Sequence, residues 1–253
     1  MQESVKQDRD KYIGGSDIPV IMNLSPFKSR YNLLLEKAGY REDDFTGNVY
    51  TEYGNTLEPL IREWINTDLK DKFVEGKHTR EAEGDELIGV RIHTDGENKD
   101  AILEIKTTSQ VYDSVNDYKL YLVQLLYYMV LTGKEYGYLA VYERPEDMSI
   151  EFNSSRLHLY KIAASEYSGL ISDINEAIER FIEDLARVKA NPFICAPGNE
   201  SKFETLIADA QTAKDMGGSD LRDFLTKSLN MWVENTDDNL LVLTLCRAHK
   251  QRL

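Results

Sequence analysis

The stretch that decides the predicted fold is Leu87-Ile-Gly-Val-Arg-Ile-His-Thr-Asp-Gly96 followed by Ala101-Ile-Leu-Glu-Ile-Lys-Thr107. Both runs are rich in β-branched residues and together they read as a β-hairpin. Side chains alternate between the faces of a strand, so the second run has one polar-bearing face and one apolar face. The first face carries Ile102, Glu104 and Lys106, and the second carries Ala101, Leu103 and Ile105. We expect the apolar face to pack on helices and the other to line a cleft.

The hairpin brings together the residue types that cleave a phosphodiester with a bound cation. Cross-strand neighbours lie roughly 5 Å apart, so Asp95 and Glu104 are placed to share one cation. Carboxylate oxygens suit Mg²⁺ or Mn²⁺, and Lys106 is placed to orient the attacking water. The acid-x-Lys spacing is weak on its own, because it recurs at Asp68, Glu75, Asp117 and Glu200. The hairpin alone also fits an ordinary strand pair with polar residues facing water.

Composition limits the function classes. The chain has 253 residues, 42% hydrophobic content and a net charge of −14, which is typical of a globular protein that does not coat DNA non-specifically. We expect no membrane span and no signal peptide, because no long apolar run is present. Cys195 and Cys246 are too few for a zinc knuckle or an iron–sulfur cluster. A cytoplasmic, reducing location is the default.

Apolar periodicity predicts the element order α-α-α-β-β-β-α-β-β-α, an α/β (α+β) fold with a central mixed sheet flanked by helices. The predicted helices are 18–23, 30–38, 51–69, 118–131 and 164–189. The predicted strands are 73–74, 87–93, 101–107, 136–143 and 156–162. We expect residues 1–194 to form the main domain. Residues 195–253 read as a helical or irregular appendage to which we assign no chemistry.

Three further features are candidates for the same site. Glu58 lies beside the apolar stripe of its helix, where it could bind metal or favour the helix dipole. Gln124 lies on an apolar helix face, as a residue that orients a carboxylate or water or as a satisfied core amide. Arg9 precedes the Gly-Gly-Ser16 turn, whose N–H groups favour a phosphate, although a solvated basic residue is the simpler interpretation.

Seven short segments in a fixed order along the chain carry a further signal. They are Arg9 with Ile13-Gly-Gly-Ser-Asp-Ile, Leu24-Ser-Pro-Phe-Lys-Ser, Leu35-Glu-Lys-Ala-Gly39, Gly54-Asn-Thr-Leu-Glu-Pro, His93-Thr-Asp-Gly, Leu103-Glu-Ile-Lys-Thr-Thr and Tyr121-Leu-Val-Gln-Leu-Leu-Tyr-Tyr-Met. Together they resemble the YqaJ-like viral recombinase nucleases, relatives of lambda exonuclease in the PD-(D/E)xK superfamily. The resemblance covers about residues 5–145.

The resemblance implies a PD-(D/E)xK core and a role for each candidate. Glu58, Asp95, Glu104 and the Ile105 carbonyl would hold Mg²⁺, for which Mn²⁺ would substitute. Lys106 would activate the water, Gln124 would stabilise the reacting region, and Arg9 with Ser16 would hold the 5′-phosphate.

The function that the resemblance implies is a metal-dependent exonuclease that acts 5′ to 3′ on ends of linear double-stranded DNA. It would leave 3′ single strands for a single-strand annealing protein in phage recombination, as a homo-oligomer, a trimer by resemblance, in the cytoplasm of a bacterial host. Two alternatives stay open: a structure-specific endonuclease of the same superfamily, or a non-catalytic nuclease-fold module for binding or anti-defence.

Overall fold

In the computed structural model, which describes residues 8–42, 47–84 and 86–192, six strands form one mixed sheet. They are β1 (Tyr12–Ile13), β2 (Val74–Arg80), β3 (Gly89–Glu97), β4 (Ala101–Thr108), β5 (Tyr136–Glu143) and β6 (Leu157–Ala163). The order across the sheet is β1-β3-β4-β5-β6, and β2 pairs with β3. β3 and β4 are antiparallel, as the predicted hairpin requires, whereas β4 and β5 are parallel. The predicted mixed sheet is confirmed.

Five α-helices flank the sheet within these ranges: α1 (Ile18–Ile21), α2 (Arg30–Lys37), α3 (Val49–Asp68), α4 (Lys119–Thr132) and α5 (Ser168–Ala190). Local sequence sets their ends. Ser29 caps α2 by accepting the Asn32 N–H, and Asn48 caps α3 by accepting two backbone N–H groups. α4 ends where Gly133 adopts the left-handed conformation that glycine tolerates. The predicted order of helices and longer strands is therefore confirmed.

The two faces of β4 pack against different helices. Leu103 and Ile105 belong to a buried cluster with Leu57, Ile61 and Ile65 of α3, as the apolar face predicts. The opposite face is covered by α4 and is not the open cleft that we expected, because Glu104 is only 1% exposed. α4 is apolar enough to lie over this face, and only the outer part of Lys106 reaches solvent.

The strand ends differ from the prediction in three places. β1 was missed, because two residues before a glycine turn give no periodic signal. β2 runs to Arg80 rather than ending at residue 74, since its side chains are mostly exposed and polar. β3 begins at Gly89 and continues to Glu97. Asp95 consequently lies inside a strand.

The chain divides into a compact unit that ends at Glu183 and a second unit that begins at Asp184. The predicted appendage, residues 195–253, lies outside the described residues, so the boundary at residue 194 stays a prediction. Within the described residues, no helix is both long and apolar enough to cross a bilayer.

Candidate active site

Asp95 lies where the β3–β4 ladder ends. The last paired residues are Gly96 and Leu103, and the next position along each strand is an acid, Asp95 on β3 and Glu104 on β4. There the Asp95 carboxylate replaces a backbone acceptor, since its Oδ2 accepts the Ile105 N–H at 2.7 Å. This bond fixes Asp95 next to the chain segment that carries Glu104.

Glu104 is a buried carboxylate with one engaged and one open oxygen. Its Oε1 accepts hydrogen bonds from Lys106 Nζ at 2.5 Å and from Gln124 Nε2 at 2.8 Å. Its Oε2 is buried and has no hydrogen-bond partner among the described residues. Buried polar atoms are nearly always paired, so an open carboxylate oxygen is a place for a cation or a water.

Burial and mutual repulsion disfavour the negative charges of Glu104 and Asp95. Burial, reinforced by the charge of Asp95, raises the pKa of Glu104 to about 8. Burial likewise raises the pKa of Asp95 above its usual range. Burial opposes the charge on Lys106, but Glu104 and Asp95 outweigh it and raise the pKa of that ammonium. Lys106 is therefore charged, and a divalent cation would relieve the remaining repulsion.

Glu58 projects from α3 toward Asp95 but is held by an arginine. Burial, and then the charge of Asp95, raises the pKa of Glu58. Its Oε1 accepts from Arg62 Nη1 at 3.0 Å, and the same nitrogen donates to the Asp95 carbonyl. Arg62 Nη2 donates to Glu75 at 2.6 Å. Arg62 thus ties α3, β2 and β3 together beside the two acids.

Gln124 lies on α4 between Glu104 and Tyr128. Its Nε2 donates to Glu104 Oε1 and, at 2.9 Å, to the hydroxyl of Tyr128. The Tyr128 ring is buried against Gly15, where an added Cβ would lie 2.1 Å from the ring. A continuous row of contacts therefore runs from the N-terminal glycine turn to Glu104.

Arg9 and Ser16 lie on the same N-terminal segment. Arg9 Nη2 is 3.8 Å from Asp17 Oδ1, and Ser16 is exposed in a 3₁₀ turn, Gly15–Asp17, that leads into α1. Asp17 itself accepts the Gly14 N–H at 2.9 Å, which closes the turn. Of the two predicted phosphate-binding residues, Arg9 thus lies in the 3₁₀ helix Arg9–Lys11, and Ser16 lies on the turn that packs against Tyr128.

Sequence reasoning missed several residues of this region: Asp17, Lys37, Arg62 and Tyr128. Two of them had a detectable signal, since Arg62 follows Glu58 by four residues and Tyr128 follows Gln124 by four, the spacing of neighbours on a helix. Asp17 and Lys37 meet only through the tertiary fold.

The donor set fits a hard divalent cation. Asp95 and Glu104 supply oxygen ligands, and Oε2 of Glu104 is an acceptor that has no donor within the described part of the chain. In the described residues no three His, Cys, Asp or Glu side chains are grouped to hold a metal, and Glu58 faces Arg62. Glu58 and the Ile105 carbonyl stay predicted ligands.

A pH dependence of stability follows from Glu104. Its pKa is near 4.5 when unfolded and about 8 when folded, so the folded protein holds a proton that the unfolded chain releases over this range. Stability without divalent metal should therefore fall as pH rises from about 5 to 9. Asp95 and Glu58 shift in the same direction, whereas the raised pKa of Lys106 has no effect below pH 10.

Thermal unfolding in chelator across this range tests the dependence. Glu104→Gln should flatten the curve, and the exposed Glu63→Gln on α3 should leave it unchanged. Two results would contradict the assignment of this pH dependence to Glu104: a wild-type unfolding midpoint that does not change with pH, or an equal change in the Glu104→Gln and Glu63→Gln variants.

The central hairpin of the mixed sheet thus carries two acids and a lysine, Asp95, Glu104 and Lys106. The profile of the YqaJ-like viral recombinase domain matches residues 5–135, just over half of the chain, and the protein belongs to this family. No protein with a curated description matches the sequence.

Solved exonucleases share the fold. The alkaline exonuclease LHK-Exo from Laribacter hongkongensis has a TM-score of 0.54 at 19% identity, over 74% of this chain and 94% of its own. The structure of LHK-Exo in complex with dAMP has a TM-score of 0.51 at 18% identity, over 85% of this chain and 100% of its own. A phage-related exonuclease from Haemophilus somnus 129PT has a TM-score of 0.50 at 16% identity, over 70% of this chain and 95% of its own. The chain is therefore a member of the YqaJ-like viral recombinase family that shares its fold with these exonucleases.

Proposed function

We propose that the protein is a Mg²⁺-dependent exonuclease that digests linear double-stranded DNA from the 5′ end. The observation that carries this proposal is the buried Glu104, at the strand position that faces Asp95. Its Oε1 accepts from Lys106 and Gln124, and its Oε2 has no hydrogen-bond partner among the described residues. A purely structural carboxylate in the core would have both oxygens satisfied. The open oxygen supports a role in holding a cation.

Each residue has a defined task in this proposal. Asp95 and Glu104 hold the metal, with the Ile105 carbonyl and Glu58 as further ligands. When bound, Mg²⁺ lowers the pKa of its water and neutralises charge on the phosphate. The Lys106 ammonium orients the attacking water and stabilises negative charge near the scissile bond. Gln124 holds Oε1 of Glu104, which would leave Oε2 to bind the cation.

Selectivity for a DNA end rests on the N-terminal segment Arg9–Asp17. Arg9 offers a guanidinium at its beginning and Ser16 an exposed hydroxyl near its end, two groups suited to a terminal 5′-phosphate. LHK-Exo, which shares the fold, was solved with dAMP, a mononucleotide that carries such a phosphate. The net charge of −14 makes tight DNA binding without metal unfavourable, so binding should need the cation.

The product of this reaction is a 3′ single strand, the substrate of a single-strand annealing protein in phage-type recombination. We accordingly place the protein in the cytoplasm of a bacterial host of a phage or prophage. By family resemblance its assembly would be a homotrimer around DNA.

One assay tests the proposal. The full chain is incubated with linear 5′-phosphorylated duplex and with closed circular DNA, in Mg²⁺, Mn²⁺ or chelator. We expect linear duplex to be degraded in either metal, closed circles to survive, and chelator to abolish activity. Nicking of closed circles at a similar rate would favour the structure-specific endonuclease instead. A complete lack of cleavage would leave only the binding or anti-defence module.

A further inference from the structure

Two opposite charges are buried together near the N-terminal turn. The side chains of Asp17 and Lys37 are 5% and 4% exposed, and Lys37 Nζ lies 2.8 Å from Asp17 Oδ2. Burying an ion pair costs nearly as much free energy as the attraction returns, so such a pair is weak evidence for stability alone.

The pair fixes the backbone of the segment Arg9–Asp17. Lys37 Nζ donates to the carbonyl of Arg9 at 2.8 Å and to the carbonyl of Tyr12 at 2.6 Å. Asp17 Oδ2 accepts the Gly14 N–H at 2.9 Å. Lys37 is the last residue of α2. Its side chain therefore anchors both the beginning and the end of the segment to α2.

This segment carries both residues that we assign to the 5′-phosphate. Its carbonyl anchors set where the Arg9 side chain departs from the backbone, and Asp17 Oδ1 lies 3.8 Å from the Arg9 guanidinium. Asp17 also neighbours Ser16 in sequence. A carboxylate so close to a phosphate would repel it, and the charge of Lys37 offsets that repulsion.

We propose that Lys37 and Asp17 are positioning residues for recognition of the 5′-phosphate. Lys37 orients Arg9 through its carbonyl and offsets the negative charge of Asp17, which in turn shapes the Gly14–Ser16 turn. Neither residue touches DNA. This inference rests on the proposed end recognition, and it extends that recognition to α2.

The test compares DNA with and without a terminal phosphate. Because removing one partner of a buried pair can unfold the protein, the variant is the neutral double substitution Asp17→Asn with Lys37→Met, checked by thermal unfolding. Binding of 5′-phosphorylated and 5′-hydroxyl duplex is measured by anisotropy in Ca²⁺, and KM and kcat are measured for both substrates in Mg²⁺. The matched control, Lys28→Met with Glu36→Gln, removes another ion pair that involves α2.

We expect the wild type to bind the 5′-phosphorylated duplex about tenfold or more tightly than the 5′-hydroxyl duplex, because it gains a charge-assisted hydrogen bond. The double variant should lose most of this preference through KM, with kcat little changed, and the control should keep it. A folded double variant that retains the preference would overturn the inference while leaving the proposed exonuclease intact. A wild type without any preference in binding would overturn it as well. Absence of metal-dependent cleavage would refute the proposed function separately.

Discussion

Replacing Lys106 with alanine should lower the rate of DNA cleavage by roughly 10²- to 10³-fold, the usual loss when a charged group that stabilises the transition state is removed. Lys106 Nζ lies 2.5 Å from Glu104 Oε1 on the same face of β4, so its ammonium is next to a carboxylate that would hold the metal. The side chain is partly exposed, and the buried Glu104 can take up a proton when the ammonium is removed, because burial raises its pKa to about 8. We therefore expect the fold to survive.

The rate is measured on linear 5′-phosphorylated duplex in Mg²⁺, with thermal unfolding of the same sample. Lys99→Ala, an exposed lysine in the turn of the same hairpin, is the control and should cleave at the wild-type rate. A Mg²⁺ titration separates two roles of Lys106. If it acts on the water, saturating metal will not restore the rate. If it only holds Glu104 in place, more metal will restore the rate, and the assignment of Lys106 to the water will be wrong.

The central part of the fold could be predicted because its signals are local. The alternation of Ile102, Glu104 and Lys106 defines one face of β4, and the spacing of Leu57 and Ile61 defines the buried stripe of α3. These patterns need no knowledge of distant residues. The predicted hairpin and the helix that packs on its apolar face are both present.

The remainder depends on contacts that no local pattern encodes. β2 is a polar strand with one buried residue, so hydrophobic alternation cannot reveal it. Asp17 and Lys37 are twenty positions apart and form a pair only because α2 packs beside the N-terminal turn. The burial of Glu104 follows from α4 crossing the sheet above it. Tertiary packing, rather than propensity, decides these features.

Gly15→Ala should both destabilise the protein and slow DNA cleavage. A Cβ at Gly15 would lie 2.1 Å from Cε1 and 2.2 Å from the hydroxyl of Tyr128, far inside contact distance. Either the turn or the buried tyrosine must move, and overpacking of this kind costs about 1–3 kcal/mol of stability. A displaced Tyr128 also loses its bond to Gln124, which orients Glu104, so cleavage should slow as well.

Gly14→Ala is the matched control, because a Cβ there would meet its nearest atom, the Arg91 carbonyl oxygen, at 3.5 Å. We expect this variant to unfold and cleave like the wild type. The double substitution Gly15→Ala with Tyr128→Ala removes the clashing ring, so its loss of stability should be smaller than the sum of the two single losses. Strict additivity would mean that Gly15 is required for another reason. If the Gly15→Ala protein has wild-type stability and cleavage rate, the turn can shift without disturbing the site. The contacts from Gly15 through Tyr128 and Gln124 to Glu104 would then contribute nothing measurable to stability or cleavage.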